Sequence, residues 1–434
     1  NPSVFMPIAN RYYERVRGWS SSVLGSIADT HTFKPITDKI RQVDHHGGYT
    51  AGAGHALYTA RRYPAAYWNR TAFVCGPTGH LVGTFVLSPQ GADYHATSPF
   101  NLLASDDEWT APIMAEVGPD GNVWVIDWYN YIVQHNPTPS GFKTGKGNAY
   151  ETNLRDKRHG RVYRLVHGSD DQKAIDLGNA TPQQLVAALS SDNLFWRRHA
   201  QRLLLERGMP DIVPDVIKLA SSTTMDAVGL NPSVIHALWL LHGLGAFESH
   251  PSALSCLHAA LKHPSAGVRR NAVRMLPATD DSITAIVESD LLRDTNGQVR
   301  LAAFLALSDM PPNTVAGQAI AKSLSRSQNA DDRWIRDAAT AAAATHVLFF
   351  LTAAANDDIT PGVLENTVSV VTQHMARSGY ADMLDPVLLS LADASPEFAD
   401  AVLAGLLSGW PEDKKVDIPD ETIDGLITLM ARLS

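Results

Sequence analysis

The chain has 434 residues, 44% of them apolar and 19% charged, with a formal net charge of −9. That composition suits two or three folded domains, excludes a disordered chain, and argues against a protein built to hold nucleic-acid phosphates. Two cysteines, Cys75 and Cys256, exclude a disulfide scaffold, a four-thiolate zinc site and a covalent c-type haem held by this chain.

The chain starts at Asn1 without a signal-peptide pattern and reads as a mature chain or a piece of a longer polypeptide. Residues 1–168 hold 11 of the 12 tyrosines and carry 16 basic against 13 acidic residues, or +3. Residues 169–434 carry 20 against 32, or −12. This break predicts two domains, 1–168 and 169–434, with a hinge at Gly168-Ser169-Asp170-Asp171.

The first part predicts β-structure. Segments 71–75 and 81–87 flank the turn Gly76-Pro-Thr-Gly79. Segments 113–117 and 122–126 flank Gly118-Pro-Asp-Gly121, where Pro presets φ and Gly accepts positive φ. A last strand is expected over 160–166. Glycine- and aromatic-rich hairpins at intervals of roughly 40 residues suggest about three blades of a β-propeller.

The second part predicts paired helices. A bulky residue, Arg, two others and Ala recur as Trp196-Arg197-x-x-Ala200, Val268-Arg269-x-x-Ala272, Val299-Arg300-x-x-Ala303 and Ile335-Arg336-x-x-Ala339. With Ala237 in the same register, the alanines are 37, 35, 31 and 36 residues apart, the period of an α-solenoid of HEAT-like repeats. Each Arg is expected to reach an Asp or a helix C-terminus of the next repeat, and Asp192, Asp294 and Asp332 to serve as N-caps or in the first turn of helices. The uncharged stretch 338–355 reads as two buried helices rather than a membrane span.

Asp44, His45, His46 and His55 could surround a metal, since imidazole suits Zn, Cu or Fe. Adjacent strand residues point to opposite faces, however, so one of His45 and His46 would instead pack or cap the loop. Asp127, with Tyr129 and Asn130 just after a strand, could be a general base for hydroxyl oxidation or a Ca²⁺ ligand; the plain alternative is a capping turn. Lys143, Lys146, Arg155, Lys157, Arg158 and His159 form a basic loop that could hold an anionic sugar or simply be solvated. Tyr49, Tyr58, Tyr63, Tyr67 and Trp68 could stack on sugar rings or pack the strands.

Four stretches carry a family resemblance. They are Asp44-His-His-Gly-Gly-Tyr-Thr-Ala-Gly-Ala-Gly-His-Ala-Leu-Tyr58, Ala115-Glu-Val-Gly-Pro-Asp-Gly-Asn-Val-Trp-Val-Ile-Asp-Trp-Tyr-Asn130, Leu154-Arg-Asp-Lys-Arg-His-Gly-Arg-Val-Tyr-Arg164 and Trp196-Arg-Arg-His-Ala-Gln-Arg-Leu-Leu204. The chain resembles the large secreted proteins of Planctomycetes, Verrucomicrobia and Bacteroidetes called membrane-bound dehydrogenases. In that family a propeller similar to glucose/sorbosone dehydrogenases precedes HEAT repeats, often followed by a c-type haem domain.

The resemblance implies the C-terminal part of a β-propeller followed by the solenoid, as an internal fragment of a periplasmic or cell-surface sugar or polyol dehydrogenase. It implies pyrroloquinoline quinone and Ca²⁺ as cofactors, with haem only on a domain absent from this chain. Asp127 and His55 would then be catalytic, Tyr129, Asn130 and Arg161 would bind the cofactor, and Asp44, His45 and His46 would hold metal. The alternative is a non-catalytic glycan- or protein-binding scaffold, whose acidic solenoid would favour a basic partner such as a cytochrome.

Overall fold

In the computed structural model the described residues are 8–16, 32–40, 48–49, 52–133, 141, 143, 152, 156, 158–169, 175–208, 210–356, 363–378, 381–412, 414–415 and 418–433. After a short helix α1 (Asn10–Arg15), the β-part contains β1 (Ala53–Leu57), β2 (Thr71–Gly76), β3 (Leu81–Gln90), β4 (Asp93–Thr97), β5 (Asn101–Ala104), β6 (Pro112–Val117), β7 (Val123–Asp127) and β8 (Arg161–Leu165). These form an antiparallel five-stranded sheet, β1-β2-β3-β4 with β5 also on β3, and a three-stranded sheet, β6-β7-β8.

This arrangement corrects the propeller expectation. The predicted strands exist, but they do not make four-stranded blades of a toroid. The reason lies in β3, which is ten residues long and has two partners. Its first half pairs with β5 (Leu81 opposite Ala104) and its second half with β4 (Val86 opposite Thr97). The β3–β4 hairpin therefore projects away from the sheet instead of closing a blade. The two sheets bury one core between them, with Tyr58, Phe73, Cys75 and Val82 from one side and Ala115, Val117, Val123 and Val125 from the other. Each fully buried large side chain stabilises this layer pair by about 1.5–3 kcal/mol.

The helical part runs α2 (Pro182–Ala188), α3 (Leu194–Arg207), α4 (Val213–Ala220), α5 (Pro232–Gly243), α6 (Ala246–Ser249), α7 (Pro251–Ala260), α8 (Ala266–Val273), α9 (Asp280–Glu288), α10 (Gly297–Ser308), α11 (Thr314–Leu324), α12 (Ser327–Ala330), α13 (Arg333–Thr345), α14 (Val347–Asn356), α15 (Val363–Ser378), α16 (Ala381–Leu389), α17 (Pro396–Gly409) and α18 (Asp420–Leu433). One ladder stacks α3, α5, α8, α10, α13, α15 and α17 in order. A second layer includes α2 on α4, α4 on α7, α9 on α11, and then α14, α16 and α18. The repeating alanines Ala200, Ala237, Ala272, Ala303 and Ala339 are all buried, which lets neighbouring helices approach closely.

Three of the repeating arginines share a role that the sequence did not suggest. Arg197, Arg269 and Arg300 each donate from Nη1 to the carbonyl six residues back, that of Ser191, His263 or Asp294, at 2.6–2.8 Å. They fasten the loop that enters their own helix. As expected, Arg269 also meets Asp294 of the next repeat through two bonds, Nε to Oδ2 at 2.6 Å and Nη2 to Oδ1 at 2.8 Å, and Arg300 Nη2 reaches the Gln328 carbonyl in α12 of the next repeat at 3.4 Å. Of the expected caps, Asp332 caps α13, whereas Asn193 and Asn296 cap α3 and α10. Among the described residues no single helix is long and apolar enough to cross a membrane, and α13 and α14 meet at a 110° bend.

The β-part is fastened to the first ladder at two distant places. At one, Leu194 N–H donates to Thr59 O (3.1 Å), Asn193 Nδ2 to Gly118 O (2.8 Å) and Trp196 Nε1 to Pro119 O (2.8 Å). Arg61 adds an ion pair to Asp226 at 2.7 Å, with both side chains largely buried. At the other, the tip of the β3–β4 hairpin enters between the N-terminal ends of α10 and α13. Ala92 N–H donates to Asp332 Oδ2 (2.6 Å), Gln298 Nε2 donates to Ala92 O, and Trp334 Nε1 donates to Asp93 Oδ2 (2.8 Å). Beside it, α1 places Tyr13 O–H on Asp337 (2.8 Å) and Arg15 on Asp309 (2.7 Å).

The hairpin dock requires glycine at position 297, because a Cβ there would overlap the Gly91 carbonyl and stand 2.7 Å from Ala92 N. Gly297→Val is expected to lower the denaturant midpoint by the equivalent of about 2–3 kcal/mol. Gly267→Ala, whose new methyl would meet its nearest neighbour at 3.5 Å, should shift the same midpoint by less than about 1 kcal/mol.

Candidate functional site

Period-two alternation along β7 sends Val123, Val125 and Asp127 inward and Trp124, Ile126 and Trp128 outward. Asp127 therefore arrives in the interior as the strand ends. Its Oδ1 accepts from Ala111 N–H (2.7 Å) and Tyr129 N–H (2.8 Å), and its Oδ2 accepts from Tyr163 O–H (3.0 Å). A fully buried carboxylate with three donors is a structural anchor, since leaving any of these groups unpaired inside the protein is costly.

That anchor shapes its neighbour. Tyr129 has φ +53°, the left-handed region that a bulky residue enters only under constraint. The strain is of order 1–3 kcal/mol, and the Asp127–Tyr129 bond opposes it. The result is a Tyr129 ring lying under the Arg161 guanidinium, 3.5 Å from ring centroid to Cζ. Arg161 also reaches Asp107 Oδ2 and Tyr163 Oη, both at 3.2 Å. Trp109 sits 5.9 Å from the Tyr129 ring and 5.6 Å from the Tyr131 ring. Burial pushes the Asp107 carboxyl up, but the Trp109 amide, Arg161 and Tyr129 outweigh it and hold the acid below its usual range.

The structure thus joins three of the sequence candidates, Asp127, Tyr129 and Arg161, in one cluster. Asn130 is buried beside them in a turn, with Oδ1 accepting from Ile132 N–H (3.2 Å). His55 stands exposed on β1, paired with Val74 of β2 in the five-stranded sheet, and nothing among the described residues couples it to Asp127. Asp44, His45 and His46 lie outside the described residues. Within the described residues there is no group of three or more His, Cys, Asp or Glu arranged to hold a metal.

Asp107, Trp109 and Tyr163 are the members that sequence reasoning missed. Tyr163 had a signal, because alternation along β8 aligns it with Arg161. Asp107 and Trp109 had none, because they come from a separate loop. Of the basic loop, Arg158 and His159 fold onto Asp156, whose Oδ1 takes the Arg158 amide (2.7 Å) and whose Oδ2 takes His159 Nδ1 (2.5 Å). Lys146, Arg155 and Lys157 lie outside the described residues. The tyrosines follow the packing alternative: Tyr58 stacks on Tyr63 at 4.5 Å inside the core, and Tyr49 packs on Phe33 and Phe85.

The outer face of β6-β7-β8 is unusual for a solvated sheet. Trp124 and Trp128 are each 37% exposed, Ile126 47% and Val162 64%, and Ile126 faces Val162 across the strands. The turn at its end is pinned by Asp120, which accepts from Trp124 Nε1 (2.9 Å), Asn122 Nδ2 (2.9 Å) and Arg164 Nε (2.5 Å). Burial raises the Asp120 carboxyl, but the bonds from Asn122, Trp124 and Arg164 prevail and bring it down to about 2.

These residues do not fit pyrroloquinoline quinone with Ca²⁺. The Asp127 carboxylate is filled by protein donors, and Arg161 is held by Asp107 and Tyr163.

Asp127→Ala is expected to cost about 3 kcal/mol of folding stability by orphaning three donors, and Asp127→Asn about 1 kcal/mol, because an amide oxygen still serves the two backbone N–H groups. Denaturant unfolding of both variants checks the order. For Asp120, a depressed carboxyl stabilises the fold fully above the unfolded value near 4, and that stabilisation is lost as pH falls through about 2. Asp120→Asn should therefore flatten the fall in unfolding temperature over that acid range.

The family described as "Domain of unknown function (DUF7133)" matches residues 2–169. No curated protein matches the chain. Among solved structures, a chain from the complex of CpcE and CpcF of phycocyanin lyase from Nostoc sp. PCC7120 aligns over its whole length with 62% of this chain, at 19% identity and a TM-score of 0.30. The designed armadillo repeat protein YIII(Dq)4CqI aligns over 98% of its length with 52% of this chain, at 20% identity and a TM-score of 0.21.

Proposed function

We propose that the chain is a non-catalytic binding scaffold, a helical-repeat support carrying a β-module that presents an aromatic and arginine surface to a partner protein. The observation that carries this reading is the division of labour around Asp127. The candidate base is spent on backbone and tyrosine donors, and what it holds in place is a half-buried Tyr129 ring under the exposed Arg161. Tyr, Trp and Arg are the side chains that dominate binding energy at protein interfaces. The outer face of the same sheet exposes a second, apolar set, Trp124, Ile126, Trp128 and Val162.

A glycan ligand is the second reading, supported by the Trp109, Tyr129 and Tyr131 rings beside the polar Asp107 and Arg161. Sugar or polyol oxidation is the less supported reading, because among the described residues Asp127 and Arg161 are already taken up by protein partners. The periplasmic or cell-surface location implied by the family resemblance belongs to the same proposal.

Peptides selected from a displayed library on the purified chain provide the test. Binding is expected to weaken about tenfold or more with Tyr129→Ala or Arg161→Ala, with the fold intact by circular dichroism. The same variants on a glycan array test the second reading. Unchanged binding by both variants, or oxidation of a sugar with an artificial acceptor that Asp127→Asn abolishes, would overturn the scaffold assignment.

A further inference from the structure

Charge is unevenly spread over the helices. Together α3, α5 and α8 contain six arginines and one carboxylate, Glu206, in a chain of net charge −9. Arg197 and Arg269 turn to loop carbonyls, and Arg207 donates to the carbonyls of Ala180 and Gly178. The remaining ones form a pattern. On its outward side α3 carries Arg198 and Arg202, α5 carries Ile235 and Trp239, and α8 carries Arg270 with Arg274 at its C-cap. Each pair is spaced by four residues, one helical turn, so the members lie on one face.

Hydrogen bonds keep the three helices in register with one another and tie α8 to α10. His236 Nδ1 meets Gln201 Oε1 at 2.6 Å, Trp239 Nε1 donates to Asn271 Oδ1 at 2.9 Å, and Arg270 donates to Gln298 Oε1 at 3.3 Å. An apolar pair thus stands between two pairs of cations. Among the described residues no hydrogen bond or ion pair engages Arg198 or Arg274, and Arg202 reaches Glu206 only at 3.7 Å. His236 registers the local field: burial, with Arg197 and Arg198 adding, pushes its imidazole down to about 4.

The matching chemistry sits at the far end of the stack. α18 packs on α16 and buries Thr422, while Ile423 (41%), Ile427 (58%) and Met430 (69%) stay exposed along one stripe. Asp420 and Asp424 flank that stripe, exposed, four residues apart, and without a side-chain partner among the described residues. Acids one turn apart beside isoleucines one turn apart complement arginines one turn apart beside Ile235 and Trp239. The two faces belong to opposite ends of the ladders, so they meet only between copies.

We propose that the chain assembles head to tail, with the exposed face of α18 in one copy docking on the Arg198–Trp239–Arg270 face of another. This is a heterologous contact, so it builds rings or open chains rather than an isolated two-fold dimer. It is independent of the Tyr129–Arg161 surface, and neither proposal requires the other.

Charge exchange tests it by sedimentation over a concentration series at low salt. Wild-type mass is expected to rise with concentration and to fall back in high salt. Arg198→Glu with Arg270→Glu should stay monomeric, as should Asp420→Lys with Asp424→Lys, because each variant opposes like charges. Mixing the two variants should restore assembly, since each then offers the face the other needs, and circular dichroism confirms that both are folded. A wild type that stays monomeric throughout, assembly indifferent to the reversals, or a mixture that remains monomeric would each overturn the proposal.

Discussion

The hydrogen-bonded seam between the β-part and the N-terminal ends of α3, α10 and α13 is the constraint on which the structure depends. Ala92 is fully buried in the same core as the solenoid helices, although it belongs to a β-hairpin. Asp332 has two duties at once: Oδ1 caps α13 through the Trp334 and Ile335 amides, and Oδ2 takes the Ala92 amide. At the other attachment Asn193 caps α3 through Phe195 N–H and holds the Gly118 carbonyl with its amide. Each dock thus uses the cap that starts its helix, and helix N-termini with orphan donors are natural places for such contacts.

This seam explains why the β-part does not behave as the expected toroid. A blade needs its outer strands to stay in one four-stranded sheet. Here β3 divides between β4 and β5, and its far half is drawn out to the helices by Asp93 and Trp334. The outer face of β6-β7-β8 keeps Trp124, Ile126, Trp128 and Val162 exposed, and Arg161 of the Tyr129–Arg161 pair is exposed as well. The solenoid contributes a stiff base and, through α3, α5 and α8, a basic face within an acidic chain.

Much of the secondary structure was legible from short-range rules. The Gly118-Pro-Asp-Gly121 turn places β6 and β7 correctly, and the Arg-x-x-Ala period places α3, α8, α10 and α13. What could not be read were partners set by tertiary contact. The strand over 81–87 gave no hint that its extension to Gln90 would dock 240 residues away. The repeating Arg was visible, but its bond to a carbonyl six residues back depends on loop shape rather than residue type. At the site, strand-end position singled out Asp127, yet a strand-end acid serves equally as base or as cap, and only the three donors around it decide. The overall −12 of the helical part pointed to a basic partner, whereas the distribution of that charge reverses the expectation for one face.

Native-state hydrogen exchange of the seam amides is the most direct test of the central claim that the β-part and the helices form one cooperative body. Ala92 N–H and Leu194 N–H, bonded to Asp332 and Thr59 across the seam, should be protected as strongly as the interior amides of α10. Exchange of these two amides at the rate of exposed loops, while α10 stays protected, would contradict it.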